Sequence, residues 1–297
     1  MTIITDSRCT EYSAPGHPER PFRVAKSVER LKTQTDLPVK WAEPGPVSRE
    51  QLLRAHTEEH LDRLEKPMDF DADTPAHPGI AEHARRAAGS ALKALELALQ
   101  GESAFSLMRP PGHHATTTRA MGFCYLNSIA VAAVEALHRK RGRVAVFDFD
   151  VHHGNGTEDI LLQRSDCEFY SVHIYPAYPG TGEDSIQNAR NYPVAPFSPR
   201  SKYRDILAGA LEDLKRYRPH VLGVSAGFDG FAGDPLGGAM GASLLEEDFR
   251  WLGEELRSLN VPTFHVLEGG YSRELPDLIL AYLKGFAGRP AAPVNQP

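Results

Sequence analysis

Cysteine is scarce: Cys9, Cys124 and Cys167 are the only three in 297 residues. Odd in number and far apart, they argue against a disulfide framework and for a reducing compartment. Long apolar runs are missing too, since none approaches the ~20 residues that span a bilayer. The opening MTIITDSRCT lacks the basic stretch and apolar run of a signal peptide. Positive charge is in deficit, with 33 basic against 39 acidic side chains and a net charge of −6. With no local basic tract either, a broad face for nucleic acid is excluded. No internal repeat or low-complexity linker interrupts the chain. The remainder, 41% hydrophobic and 24% charged, suits a globular protein with a full core. A cytoplasmic chain with one α/β domain over residues 1–287 is expected, without nucleic-acid or membrane partners. The Pro-rich, apolar-poor tail 288–297 is expected to fray.

Short apolar or β-branched runs alternate with helical periodicity. Strands are expected at 2–5, 103–107, 143–148, 168–174, 220–225 and 261–267, and helices at 79–100, 124–140, 201–217, 243–258 and 275–286. RVAVFD (143–148) and HVLGVS (220–225) are nearly continuous apolar runs, as in parallel strands covered on both faces. The alternation implies right-handed crossovers with helices on both sides of the sheet. Ser243-Leu244-Leu245-Glu246 reads as a capping box, and the acidic, Pro-broken stretch 66–78 as a loop.

Chemistry concentrates where these strands end. Asp148-Phe149-Asp150-Val151-His152-His153-Gly154-Asn155-Gly156 follows directly on RVAVF. Residues two apart in extended chain share a side, so Asp148, Asp150 and His152 point together at the carboxyl end, where parallel α/β sheets hold ligands. Two carboxylates and an imidazole are a hard-to-borderline donor set for a divalent metal. A second strand ends in Gly227-Phe228-Asp229-Gly230 and brings another carboxylate to the same edge. Asp150, His152 and Asp229 would leave further positions open, as catalytic metal sites do. Arg109-Pro110-Pro111-Gly112-His113-His114 follows a third strand, and its adjacent histidines could be ligands or bases. A fourth runs into Gly269-Gly270-Tyr271, a phenol on a flexible turn.

The strings PPGHHA, MGFCYLN, DFDVHHGNGT, SVHIYPAYPGTG, SAGFDGFAGDPLGG and LEGGY occur in one order between about Arg109 and Tyr271, with HPERPFR at 17–23. Together they resemble the zinc-dependent histone deacetylase and acetylpolyamine amidohydrolase superfamily, on its class II side. The resemblance implies an arginase-like α/β fold with a central eight-stranded parallel sheet. It implies zinc, or alternatively Fe²⁺, on Asp150, His152 and Asp229. His113 and His114 would flank the attacking water, and Tyr271 would donate to the transition state. Gly122, Phe123, Tyr178 and Leu236 would line a substrate tunnel, and Arg23 an inner channel for acetate. A structural potassium ion would sit on Asp148, the main-chain oxygens of Asp150, His152 and Val172, and the Ser171 hydroxyl. Hydroxamate-type inhibitors are expected to bind the zinc.

Elementary chemistry agrees with these roles. A divalent ion acidifies water and polarises an amide carbonyl, and a histidine can take and return the proton. A phenol facing the nascent oxyanion acts where preorganised donors help most. Aromatic walls suit a methylene chain ending in an acylated nitrogen. Three departures stand out. Asn155 replaces the Asp that class I relatives pair with a tandem histidine, so that histidine, read as His114, rests neutral more readily. Tyr178 replaces the commoner Phe and adds a hydroxyl to the rim. Leu236 stands where the polyamine-specific class II deacetylase has a gatekeeper Glu.

His56 and His60, four apart on an expected helix, lack the zincin Glu and receive no metal role. His77, His83, His138, His220 and His265 read as surface or packing residues, and Cys124 as a small core residue. The chain is therefore expected to remove acetyl or short acyl groups from acyl-lysine in protein or peptide. The alternative is the same chemistry on acetylpolyamines or other small N-acetyl amines. A non-catalytic acyl-lysine reader is disfavoured by the intact histidines, ligands and tyrosine. A two-manganese ureohydrolase is disfavoured by the lack of a second Asp-rich motif.

Overall fold

Residues 1–288 are described by a computed structural model. Eight strands form one sheet: β1 (Thr2–Ile4), β2 (Lys40–Ala42), β3 (Ala104–Ser106), β4 (Val144–Asp148), β5 (Cys167–Ile174), β6 (Ala189–Val194), β7 (Val221–Ala226) and β8 (Thr263–Leu267). Every pairing is parallel, and the order across the sheet is β2-β1-β3-β8-β7-β4-β5-β6. The late strands β7 and β8 thus insert between β3 and β4, and the carboxyl ends of those four lie side by side at the centre. The helices of the described residues are α1 (Phe22–Thr33), α2 (Arg49–Leu53), α3 (Glu58–Arg63), α4 (Ile80–Leu99), α5 (Ser128–His138), α6 (Asn155–Leu161), α7 (Arg200–Tyr217), α8 (Glu246–Ser258) and α9 (Leu275–Ala287).

Strand alternation builds two cores, one on each face. In β4, Ala145 and Phe147 enter the core made with α1, α7, α8 and α9, while Val144 and Val146 enter the one made with α4 and α5. Full burial of a side chain such as Phe147 is worth about 2–3 kcal/mol. α4 is rich in alanine, the best helix former, and its small face lets it lie close to the sheet.

Six expected strands fall on β1, β3, β4, β5, β7 and β8. β2 and β6 went unseen, and both are sheet edges: β2 is three mostly exposed residues, and β6 carries Pro193 and half-buried Arg190 and Tyr192. Two helix starts are corrected. α5 begins at Ser128 rather than 124, because the Asn127 side chain caps it by accepting from the Ala130 N–H. α8 begins at Glu246 rather than 243, and the expected capping box does not form. Leu244 instead pairs with Phe231, and the Asp248 carboxylate accepts from the Leu245 N–H at 2.7 Å. The loop 66–78 is a loop, closed by a bridge between Asp71 and Thr74. Most of the expected fraying tail, 289–297, lies outside the described residues. No helix among the described residues is long and apolar enough to cross a membrane.

Candidate active site

The loops leaving β4, β7, β8 and β3 converge, and the three expected metal ligands meet at their floor. Asp150 and Asp229 are wholly buried. His152 Nδ1 lies 3.1 Å from Asp150 Oδ1 and 3.1 Å from Asp229 Oδ2. One donor atom from each residue falls within 4.8 Å of the others, and no second group of this kind occurs among the described residues. Main-chain donors aim the carboxylates. Gly269 N–H donates to Asp150 Oδ2 at 2.7 Å, His152 N–H to Asp150 Oδ1 at 3.0 Å, and Val151 N–H to Asp229 Oδ1 at 2.9 Å.

Burial, reinforced by the charge of Asp150, pushes the Asp229 carboxyl up to about 7. Asp150 is held below the ordinary carboxylate range: burial opposes this, but His113 and His152 beside it prevail. Two acids and an imidazole in a dry pocket carry an electrostatic cost that a divalent cation relieves, and the oxygen and nitrogen donors suit one. The donor set therefore fits the metal that the sequence implied.

The tandem histidines stand beside this floor with ring centroids 4.0 Å apart. His113 Nδ1 donates to Asp148 Oδ2 at 2.9 Å, and His114 Nδ1 to Asn155 Oδ1 at 2.8 Å. Burial alone would push both rings down. At His113 the charges of Asp150 and Asp148 outweigh it and lift the ring up to about 10. At His114 the neighbouring His113 and His152 add to burial, so the ring falls well below its usual value. Adjacent imidazoles are thereby split into a proton carrier and a proton acceptor.

Tyr271 is 7% exposed, with Phe123 edge-on at 5.8 Å and the Arg23 guanidinium 4.7 Å from its ring centroid. Burial pushes its phenol well above the usual value, which keeps it a donor. Arg23 is buried behind it, donating from Nε to the Gly270 carbonyl at 2.6 Å and from Nη2 to the Glu268 carbonyl. Asp148 lies opposite Ser171 in the β4–β5 register, and the Ser171 hydroxyl is 2.9 Å from His173 Nδ1. Val172 is wholly buried beside them.

Above the floor opens a cavity of about 480 Å³. His114, His152 and Tyr271 line its base, Gly122, Phe123 and Tyr178 its walls, and Leu236, Met240, His17 and Asp73 its mouth. The Tyr178 ring stands edge-on to His114 at 5.1 Å. Its phenol oxygen lies against Gly122, since a Cβ added there would stand 2.9 Å from it. The hydroxyl therefore reaches further in than the rim, where the sequence suggested it.

Other expectations fall outside this cluster. His56 is not on a helix with His60, because it precedes Thr57, the residue that caps α3. Its ring is structural, accepting the Asn127 N–H at Nε2 (3.0 Å) and facing the Thr116 carbonyl at Nδ1 (2.9 Å). Cys124 is buried, and that burial holds its thiol well above the usual value. Sequence reasoning passed over Glu268 and Asp234. Asp234 Oδ2 accepts the Tyr271 and Ser272 N–H groups at 2.6 and 3.0 Å, while its Oδ1 accepts that of Leu236 at 2.9 Å. Asp234 sits in the turn Gly233-Asp234-Pro235, a signal that could have found it, whereas Glu268 pairs with the backbone N–H groups of Gly112 and His113 and leaves no side-chain pattern.

With this geometry in hand, comparison places the chain. The histone deacetylase domain family matches residues 17–284. The chain belongs to that family, within the superfamily of deacetylases and acetylpolyamine amidohydrolases. A protein of Methanothermobacter thermautotrophicus named "Probable deacetylase" is 36% identical over 99% of this chain and 92% of its own. The HD domain of HDA15 superposes with a TM-score of 0.89 at 30% identity, covering 98% of this chain and 90% of that one. The acetylpolyamine aminohydrolase of Burkholderia pseudomallei gives a TM-score of 0.87 at 28% identity, covering 97% and 98%.

Proposed function

We propose that this deacetylase-family chain, as one domain over residues 1–287, hydrolyses the side-chain amide of acetyl- or short-acyl-lysine in proteins or peptides. The observation that carries the reading is a single constellation at one sheet edge. Asp150, His152 and Asp229 converge beneath His113, His114 and Tyr271, at the base of an aromatic-walled cavity. Asp150, His152 and Asp229 would hold zinc, with Fe²⁺ the alternative suited to the same donors. When bound, the ion would polarise the amide carbonyl and acidify water. Neutral His114 is disposed to take the proton of the attacking water, and protonated His113, held by Asp148, to supply one to the departing amine. The Tyr271 hydroxyl donates to the oxygen that gains charge. Phe123 and Tyr178 clamp the methylene chain and exclude water. The potassium position on Asp148, Ser171 and the main-chain oxygens of Asp150, His152 and Val172 belongs to the same reading, as do the Arg23 channel and hydroxamate inhibition. So does a cytoplasmic location.

Acetylpolyamine hydrolysis is the second reading, favoured by the likeness to the Burkholderia enzyme over nearly its whole length. Leu236 supports the lysine reading at its own position, where it offers no anion to an internal ammonium, while Asp73 on the same mouth is a carboxylate that the polyamine reading could use. A screen of acetyl-, propionyl- and longer acyl-lysine peptides beside acetylated polyamines tests the choice. Higher kcat/KM on acetyl-lysine peptides is expected. Preference for acetylspermidine would overturn the lysine assignment.

A further inference from the structure

Directly after β8, Glu268 is a carboxylate with no solvent exposure. Its partners are unusual for a buried acid, because none is a cationic side chain. Oε2 accepts the backbone N–H of Gly112 at 2.7 Å and of His113 at 3.0 Å, and Oε1 accepts the Ser225 hydroxyl at 3.3 Å. Its own backbone is fixed as well: its N–H donates to the Ala226 carbonyl at 2.9 Å, and its carbonyl accepts from Arg23. One residue therefore joins the histidine turn after β3, the end of β7 and the turn that carries Tyr271.

Burial pushes the Glu268 carboxyl up to about 7, so the protein bears a penalty to keep an acid here. An apolar side chain at such a position would usually favour stability. What the acid supplies is an acceptor for two consecutive N–H groups that have no strand or helix to satisfy them. The turn has little freedom to find another arrangement. At Gly112 a Cβ would stand 2.7 Å from the Ser128 nitrogen and 2.9 Å from the Leu126 carbonyl oxygen. The main chain of the histidine turn is thus wedged between the start of α5 and Glu268. Removing the acceptor frees it on one side only.

We propose that Glu268 is a positioning residue for the hydrolysis: through hydrogen bonds to Gly112 and His113 it holds the tandem histidines in register with Tyr271. This rests on the proposed function, whose histidines it serves. Glu268 touches no reacting atom. Its effect is on kcat, through the placement of His113 and His114, and not on the apolar throat that sets KM.

Two near-isosteric variants separate position from charge. Glu268→Gln keeps a side-chain oxygen at full reach for both N–H groups, and its amide can donate to the Ser225 oxygen. Glu268→Asp keeps the charge, but one methylene less withdraws the acceptor. Positioning predicts that E268Q retains kcat within about fivefold, whereas E268D loses about 30-fold with KM changed by less than about twofold. Histidine ring ¹⁵N resonances supply a readout independent of turnover: those of His113 should move in E268D and stay near their wild-type positions in E268Q. The reverse order in both measurements would make Glu268 a charge partner and overturn the proposal, as would wild-type behaviour in both variants. If the wild type hydrolyses no acyl amine, the proposed function falls. The histidine resonances still decide whether Glu268 positions the turn.

Discussion

Asp148, Asp150 and Asp229 have no solvent exposure, and each accepts a hydrogen bond from a neighbouring turn or ring. The mouth of the same cavity is built otherwise. Leu236 and Met240 are half-buried with no side-chain hydrogen bond, as is true of Tyr178 in the wall below them, 41% exposed. His17 is the one tied ring, its nitrogens facing the Glu19 and Asp73 carbonyls at 3.1 and 3.2 Å. The floor is over-determined, since moving one carboxylate disturbs two loops and a strand end. Apart from His17, which is held by these bonds and packs edge-on to Phe123 at 4.7 Å, the mouth is a set of side chains that can be exchanged one by one. Under the proposed function, the floor would set which bond is broken and the mouth would select what reaches it. Substitutions should accordingly cost most at the base and become milder, and more substrate-dependent, toward the opening.

The largest effect is expected at the proposed metal ligands. Asp229→Ala or Asp150→Ala should abolish tight binding of about one divalent ion per chain and lower kcat/KM by at least about 1000-fold. Metal analysis of purified wild type and variants, alongside turnover, checks this. Two transition-metal ions per wild-type chain in this cleft would favour the ureohydrolase type of site.

Next comes Tyr271→Phe. Under the proposed function the phenol donates to the reacting oxygen and is no ligand, so metal content should persist while kcat falls by roughly 100-fold with little change in KM. Turnover close to wild type on an acetyl-lysine peptide would show that the base of the cavity works without it.

How much of this contrast the sequence carried follows from the same physics. The floor was legible because its residues are short polar strings at or just beyond the ends of apolar strands: Asp148 closing β4 with Asp150 and His152 beyond it, Asp229 after β7 and Tyr271 after β8. Strand periodicity and sheet topology then bring them together. Glu268 was hidden because its partners are backbone N–H groups, which no side-chain pattern encodes. The edges were hidden too, since Lys40-Trp41-Ala42 buries too little to leave an apolar signature. Ser243 offered a helix cap by residue type, but pairing of Leu244 with Phe231 kept the chain extended there. At the throat the sequence could name Tyr178 but not the direction of its hydroxyl, which depends on close approach to Gly122.

A milder change concerns the second layer of the floor. Asn155→Asp would set a carboxylate on His114 Nδ1 in place of a neutral acceptor and stabilise the protonated ring. His114 sits well below its usual value, so it is the neutral, proton-accepting form near neutrality. Raising it means that the base is lost at a higher pH. The acid limb of kcat/KM should move to higher pH by about one pH unit, a tenfold loss on that limb with little change above it. Stability follows the same sign. A buried histidine with a depressed pKa costs stability as pH falls below its unfolded value of about 6.5, and the Asp variant should lose less on acidification. An unmoved acid limb would mean that another group is the base.

The smallest effect belongs to the mouth, and it should appear only as a ratio. Leu236 lines the opening and is half-buried, so a charge placed there would be partly screened by water. An exposed or half-exposed opposite charge is worth about 1 kcal/mol, which is about fivefold. Leu236→Glu should therefore raise kcat/KM for acetylspermidine relative to an acetyl-lysine peptide by about fivefold, and the gain should shrink as salt is added. The floor is untouched, so kcat on a small uncharged acetamide substrate should stay near the wild-type value. Measuring both substrates on both proteins at two ionic strengths is enough. An equal loss on every substrate would mean that Leu236 supports the floor through its contacts, and the division between a fixed base and an exchangeable mouth would fail at this residue. An unchanged ratio would put Leu236 out of reach of the substrate's second amine and leave selection to His17, Asp73 and Met240 on the rest of the rim.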